Sequence, residues 1–372
     1  MKRGWAVSGV AFSALTAFLR PQPAQALDIG ISLSNTTPVV AWTSQFSHEY
    51  QLLGGFSATQ IQTTCGRILT ATGAAFTVSV SPTSDVCRLF GVLDGGWTFK
   101  VLALTNDGTG AALLRWSSET DGTYRVMRST DLVYSISVLA SNIPATAPVN
   151  TYTDGTANGN GPYFYWAEKQ TNGGFQRTIN AGGFYKLHLT NAGTFGYLCH
   201  YGFQSFDGLP HDNPSSVLGN QLPLNTTCSI YSTESGESVH ETFAASGWSP
   251  DTNQLSRDRG FWILTSATAG TLYVSGEVPE SRCAATTTIA WGLTNVIGYP
   301  YPVPIAWTNT TLAKNAVPGD WVDVYNPNTG GYYDVEHSNW TCPNLIITPG
   351  IGFFYTSQRT GVWTEVKPYT WP

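Results

Sequence analysis

The sequence predicts an all-β protein built of tandem β-sandwich modules, and three observations carry that prediction. Apolar residues recur in short alternating runs broken by Gly, Asn, Asp and Pro, with no helical period. Charged residues make up only 11% of the chain, while hydrophobic residues are an ordinary 42%. The chain also repeats itself, in two different ways.

Composition excludes several classes at once. With 13 Trp, 18 Tyr and 17 Phe the chain can bury far more apolar surface than a disordered segment could. Six Lys and 2 Met are too few for a helical bundle or coiled coil. Eighteen basic against 24 acidic residues, with a pI near 5.5, argue against a nucleic-acid partner.

Residues 1–26 read as a signal peptide. Lys2 and Arg3 form a positive start, residues 4–19 a short apolar run, and Ala24-Gln25-Ala26 a cleavage site of small residues. The apolar run is shorter than the roughly 18 residues that span a bilayer. Cleavage after Ala26 leaves an exported chain with no membrane span, 15 basic and 24 acidic residues.

Residues 27–97 and 98–169 form the first pair of repeats. Leu33-Ser-Asn, Val39-Val-Ala-Trp42 and Tyr50-Gln-Leu recur as Leu104-Thr-Asn, Leu113-Leu-Arg-Trp116 and Tyr124-Arg-Val. The Trp and Tyr offsets are both 74. Each copy closes on an alternating run, Arg88-Leu-Phe-Gly and Tyr163-Phe-Tyr-Trp166, so each reads as antiparallel strands packed as a sandwich.

Residues 98–168 carry Leu114-Arg-Trp116-Ser, Thr123-Tyr-Arg-Val126, Arg128-Ser-Thr-Asp-Leu132 and Tyr163-Phe-Tyr165, and resemble the fibronectin type III-like modules of exported bacterial proteins. The resemblance implies that Trp116 is the core residue of an early strand. It also implies that the Tyr163 run is a late strand of the opposite sheet. Residues 28–93 resemble a more divergent copy, with Cys87 near the late-strand aromatic, which fits a disulfide in place of an aromatic plug. Such a resemblance speaks to fold and hardly to function.

The second pair of repeats spans residues 170–282 and 283–372. Gly196-Tyr-Leu-Cys, Cys228-Ser-Ile-Tyr231, Trp248 and Arg259-Gly-Phe-Trp-Ile-Leu264 have counterparts downstream. These are Gly292-Leu-Thr-Asn-Val-Ile, Trp321-Val-Asp-Val-Tyr325, Trp340 and Gly350-Ile-Gly-Phe-Phe-Tyr355. This half resembles a tandem β-rich module at the C-terminal ends of exported bacterial proteins. Residues 320–333 read as a hairpin turning at 326–330. The alternating runs place Trp42, Trp116, Phe261, Trp321 and Phe353 in the core.

All six cysteines, Cys65, Cys87, Cys199, Cys228, Cys283 and Cys342, fall after the signal. An even count in an oxidising compartment predicts three disulfides, whose connectivity the sequence leaves open. Chain order suggests Cys65–Cys87, Cys199–Cys228 and Cys283–Cys342, each inside one module. No C-x-x-C spacing favours zinc.

The sequence carries no P-loop, H-E-x-x-H or nucleophile elbow. His200, Asp207, His211 and Asp212 share one loop and are a weak metal candidate, set against a polar surface loop. Glu234, Glu237, Glu241, Asp251 and Asp258 offer carboxylates for a hydrolase, but carboxylates this close in sequence usually form a solvated hairpin face. The Asx-rich stretch 154–161 lacks the closing Glu of a calcium loop and reads as a turn.

Aromatics in matching loops are the stronger lead: Tyr201, Phe203 and Phe206 in one repeat, Tyr299, Tyr301 and Trp307 in the other. Held outward and stiffened by Pro300, Pro302 and Pro304, they would stack on sugars or anchor a partner. Folded back, they would plug the core. Sequons stand at Asn35, Asn225, Asn309 and Asn339.

These readings predict a non-catalytic, secreted or cell-surface protein without cofactor, adhesive or scaffolding, partnered by copies of itself or by a surface glycan or protein. A carbohydrate-binding protein is the first alternative and a secreted hydrolase the second.

Overall fold

The computed structural model describes residues 29–371, apart from 35–36, 44–47, 56–60, 71–74, 80–88, 190–195, 209–210, 232–237, 258, 266–269, 280–284, 327–330 and 338–344. The signal segment, Cys87, Cys283, Cys342, Glu234, Glu237, Asp258 and Trp340 lie outside the described residues. Among the described residues the chain forms 28 strands, two four-residue helices and one 3-10 turn, an all-β fold. It divides into two compact units, Met1–Trp97 and Thr98–Pro372.

The first unit holds β1 (Ile29–Ser34), β2 (Thr37–Thr43), β3 (His48–Gly55), β4 (Ile61–Thr70), β5 (Ala75–Ser79) and β6 (Leu89–Trp97). They form two antiparallel sheets of order β1-β2-β5 and β4-β3-β6. Trp42, on the middle strand of the first sheet, is buried.

The second unit begins with the same plan. β7 (Val101–Asn106), β8 (Ala112–Ser117), β9 (Thr123–Ser129), β10 (Ile136–Pro144), β11 (Val149–Asp154) and β12 (Tyr163–Thr171) give sheets of order β7-β8-β11 and β10-β9-β12. The strand order repeats position for position, so the 74-residue sequence offset is a duplicated topology.

A short β13 (Gly174–Arg177) folds back on β12, and β14 (Gly182–Leu189) pairs further along the same edge of β12, opposite β9. Val101, Leu114 and Trp116 from one sheet close on Tyr124, Val126, Tyr165 and Phe184 from the other. Trp116 meets Tyr124 edge-on with ring centroids 6.0 Å apart. Asp154, at the end of β11, ties the sheets together: its Oδ2 accepts from Arg128 Nη1 at 2.8 Å and from the Tyr165 hydroxyl at 2.9 Å.

The C-terminal half repeats a different plan. The first copy runs through β14, β15 (Tyr197–His200), α1 (Pro214–Val217), β16 (Thr227–Tyr231), β17 (Ser238–Ala244), β18 (Gly247–Ser249), β19 (Gly260–Leu264) and β20 (Gly270–Glu277). The second starts with β21 (Ala285–Ile289), β22 (Thr294–Gly298), β23 (Ile305–Ala306), the 3-10 turn Trp307–Asn309 and α2 (Thr311–Lys314). It continues through β24 (Trp321–Asn326), β25 (Gly331–Glu336), β26 (Ile346–Ile347), β27 (Gly352–Thr356) and β28 (Gly361–Glu365).

In both copies the first and last strands pair, β14 with β20 and β21 with β28. In both, the strands between them form a sheet of the same order, β15-β19-β16-β17 and β22-β27-β24-β25. Each closing strand ends on a buried glutamate. Glu277 accepts from Asn180 Nδ2 at 2.8 Å and Gln204 Nε2 at 2.9 Å. Glu365 accepts from the Thr311 N–H at 2.9 Å and Trp363 Nε1 at 3.1 Å.

The two copies pack reciprocally. A Cβ on Gly260 of β19 would lie 3.0 Å from the Ile297 carbonyl of β22. A Cβ on Gly352, its counterpart on β27, would lie 2.8 Å from the Cys199 carbonyl of β15. Each last inner strand thus lies against the other copy's first inner strand, the self-complementary arrangement of a two-fold pair. Trp262 and Phe354, equivalent in register, meet at 5.8 Å.

Packing is continuous across the expected boundaries at 169/170 and 282/283. One hydrophobic core runs from Met127 to Tyr369 across both points. The physical reason is β14, which is at once an edge of the sandwich sheet and the opening strand of the first repeat.

Candidate functional site

The aromatic loops do not face outward. Tyr201, Phe203, Tyr299, Tyr301 and Trp307 are buried, and Phe206 is half-buried against the sandwich core. Phe203 stacks on Tyr185 at 5.2 Å. It lies on a floor left by Gly183 and its cross-strand partner Gly276, where a Cβ on Gly183 would come within 2.0 Å of the ring. Tyr301 packs edge-on against Tyr299 and Tyr369, and Trp307 against Phe353. Of the two directions open to these loops, the rings take the inward one. Glycine supplies the room, and a small strand surface beside a large ring favours burying the ring.

The metal candidate also separates. His200 is buried on β15 with Nε2 against the Arg257 carbonyl. His211 instead pairs with Asp207 at 2.9 Å in the loop. Among the described residues no group of three or more His, Cys, Asp or Glu could hold a metal ion.

The described carboxylates of the hydrolase set, Glu241 and Asp251, are engaged in structural hydrogen bonds. Glu241 is fully buried rather than on a solvated face, and its Oε1 accepts from the N–H groups of Thr252 and Asn253, both at 2.6 Å. Asp251 accepts from the Ser215 N–H at 2.9 Å and from Asn213 Nδ2 at 2.7 Å, fixing the start of α1. In the Asx-rich turn, Asp154 is spent on Arg128, Tyr165 and Thr156. Burial pushes its carboxyl up, but these donors outweigh that and hold it below the usual range.

Cys199 and Cys228 are free, buried thiols, which corrects their expected bond. β19 runs between their strands, with Cys199 opposite Phe261 and Cys228 opposite Ile263. Two strand spacings separate the Cα atoms by about 10 Å or more, beyond the ~7 Å a disulfide bridges. Burial pushes the Cys199 thiol up to about 12 and the Cys228 thiol higher still, so neither is a ready nucleophile. Cys65 lies on β4.

A cleft of about 370 Å³ lies between the sandwich and the repeats, lined among others by Tyr185, His188, Leu198, Pro304 and Ile351. Its polar groups are engaged. His188 bonds Asn160 Oδ1 at 2.6 Å and Thr271 Oγ1 at 2.9 Å, and Lys186 Nζ donates to the Ala157 carbonyl at 2.6 Å.

The surface also exposes strand edges and large apolar side chains. On the outer edge of the sandwich sheet, the Asp131 carboxylate accepts from the N–H groups of Val133, Tyr134 and Ser135. That turn projects Tyr134, 89% exposed, ahead of Ile136 and Val138 on the uncharged β10. Slight burial raises the Asp131 carboxyl, and the three N–H donors more than reverse this, holding it well below the usual range.

In the second repeat, the two-stranded β21·β28 ribbon exposes Val362 at 70%, with Trp291 at 64% and Val366 at 68% beside it. Trp321, expected in the core, is 37% exposed on the outer face of β24. The sequence signal for these surfaces was the scarcity of charge in strands that need a charged edge to stay unpaired.

No family model matches the chain, and no curated protein matches it. Among solved structures, a tetra-tandem repeat from the extending region of a large adhesion protein aligns over 92% of each chain at 13% identity. Its TM-score is 0.16, too low for the likeness to carry an argument about fold or role.

Proposed function

We propose that this chain is a non-catalytic, exported adhesive or scaffold component that associates with copies of itself through open β edges. One observation carries the reading: the uncharged strand β21, flanked by exposed Trp291, Val362 and Val366. Natural sheets normally blunt such edges with charge, and an open edge recruits a further strand through its main-chain hydrogen bonds. The signal-like residues 1–26 support export, and among the described residues no helix is long and apolar enough to cross a membrane.

Duplicated sandwiches suit a spacer that displays such edges. The shared strand order of the two N-terminal sheet pairs supports the fibronectin type III-like reading. Full-length chain immobilised on a sensor should retain soluble chain in a concentration-dependent way. Absence of retention at tens of micromolar would remove self-association from the reading.

A further inference from the structure

The duplication supplies a template for one contact beyond those described. In Thr98–Pro372 the closing strand of the sandwich, β12, pairs antiparallel with β14 through Tyr163↔Phe184, Phe164↔Gly183 and Tyr165↔Gly182. β14 is also the opening strand of the first repeat. A sandwich's closing strand and a repeat's opening strand therefore share one ladder. The chain holds a second strand of each kind. β6 closes the N-terminal sheets and, among the described residues, pairs with β3 alone. β21 opens the second repeat and, among the described residues, pairs with β28 alone.

Building on the self-association proposed above, we infer that β21 of one chain docks antiparallel on β6 of a second copy, as β14 docks on β12. Both strands suit a ladder. β21 reads Ala-Thr-Thr-Thr-Ile, without charge or Pro, and its register against β28 is unbroken from Ala285↔Glu365 to Ile289↔Gly361. Residues 89–93 of β6 read Leu-Phe-Gly-Val-Leu and run unbroken against β3, ahead of the strand's one charge at Asp94. Three other edges carry the usual defences. β10 bulges twice against β9 and ends in Pro144. β25 carries Asp334 and Glu336, and β13 ends in Arg177. Trp291, Val362 and Val366 flank β21 and would be covered by the incoming chain. Because β6 and β21 are different surfaces of one chain, the contact is head-to-tail and either closes a ring or extends a filament.

The test uses the full chain with Thr286→Lys and Thr288→Lys together, both at exposed positions of β21. Light scattering should show wild type at multiples of the 40.2 kDa single-chain mass and the double variant at that mass. Ser137→Lys on β10 should associate like wild type. In wild type, hydrogen exchange at residues 89–93 and 285–289 should slow together as concentration rises.

Continued association of the double variant would overturn the β21 site while leaving self-association intact. Protection at β21 without protection at β6 would overturn the partner surface. A wild-type chain at single-chain mass throughout would overturn both the contact and the self-associating reading.

Discussion

At the scale of single residues, glycines and buried polar groups decide what the aromatic side chains do. Gly183 leaves the space that Phe203 fills, so Gly183→Ala should cost about 1–3 kcal/mol by overpacking, read as a lower denaturant midpoint with an unchanged slope. Trp116 is fully buried and its Nε1 has no hydrogen-bond partner among the described residues. Trp116→Phe should therefore cost less than about 1.5 kcal/mol, whereas Trp116→Ala should cost roughly 3–5 kcal/mol. Cys199 and Cys228 should resist alkylation in the native protein and both react after unfolding without reductant. Failure to react after unfolding would restore the bond that the strand order forbids. Trp116 was legible in the sequence because its alternating run matched a second copy. The direction of Tyr201 and Tyr299 stayed open in the sequence, because the space that accepts the loop rings lies on distant strands.

At the scale of elements, two carboxylate arrangements respond to pH in opposite directions. Asp323 and Asp334 are direct cross-strand partners in the β24·β25 hairpin. Burial and the neighbouring Asp334 raise the Asp323 carboxyl, against the opposing hydrogen bond from Trp321. Its protonated form is favoured by folding, so the hairpin is most stable below the unfolded-state value near 3.9. It loses stability as pH rises through the higher folded value. Asp334→Asn should recover about 0.2–1 kcal/mol at pH 7, the scale of a like-charge cross-strand pair, and flatten that dependence.

Asp154 behaves in reverse, since its folded value is depressed. Its contribution is present above about 3.9 and fades as pH falls through the lower folded value. Arg128→Ala, which leaves that buried carboxylate short of its cation, should cost about 3 kcal/mol near neutral pH. The strands themselves were legible from alternation. Trp321 departs because its face of β24 has no second layer over it, and alternation alone does not say which face is covered.

At the scale of the whole molecule, two duplications are joined by one shared strand. Motif recurrence marks the repeats in the sequence, while the core runs continuously across 169/170 and 282/283. Pairing of β14 with both β12 and β20 joins residues far apart in sequence, and no local pattern announces it. Calorimetry should therefore resolve two transitions, one for Met1–Trp97 and one for Thr98–Pro372 as a single cooperative block. Three transitions would separate the repeats after all. The central claim is that open strand edges, rather than a pocket, are the working surface. Light scattering of the oxidised full chain across concentration tests it most directly. The account predicts a mass that grows beyond one chain and falls back when β21 is charged. A single-chain mass at every concentration would contradict it.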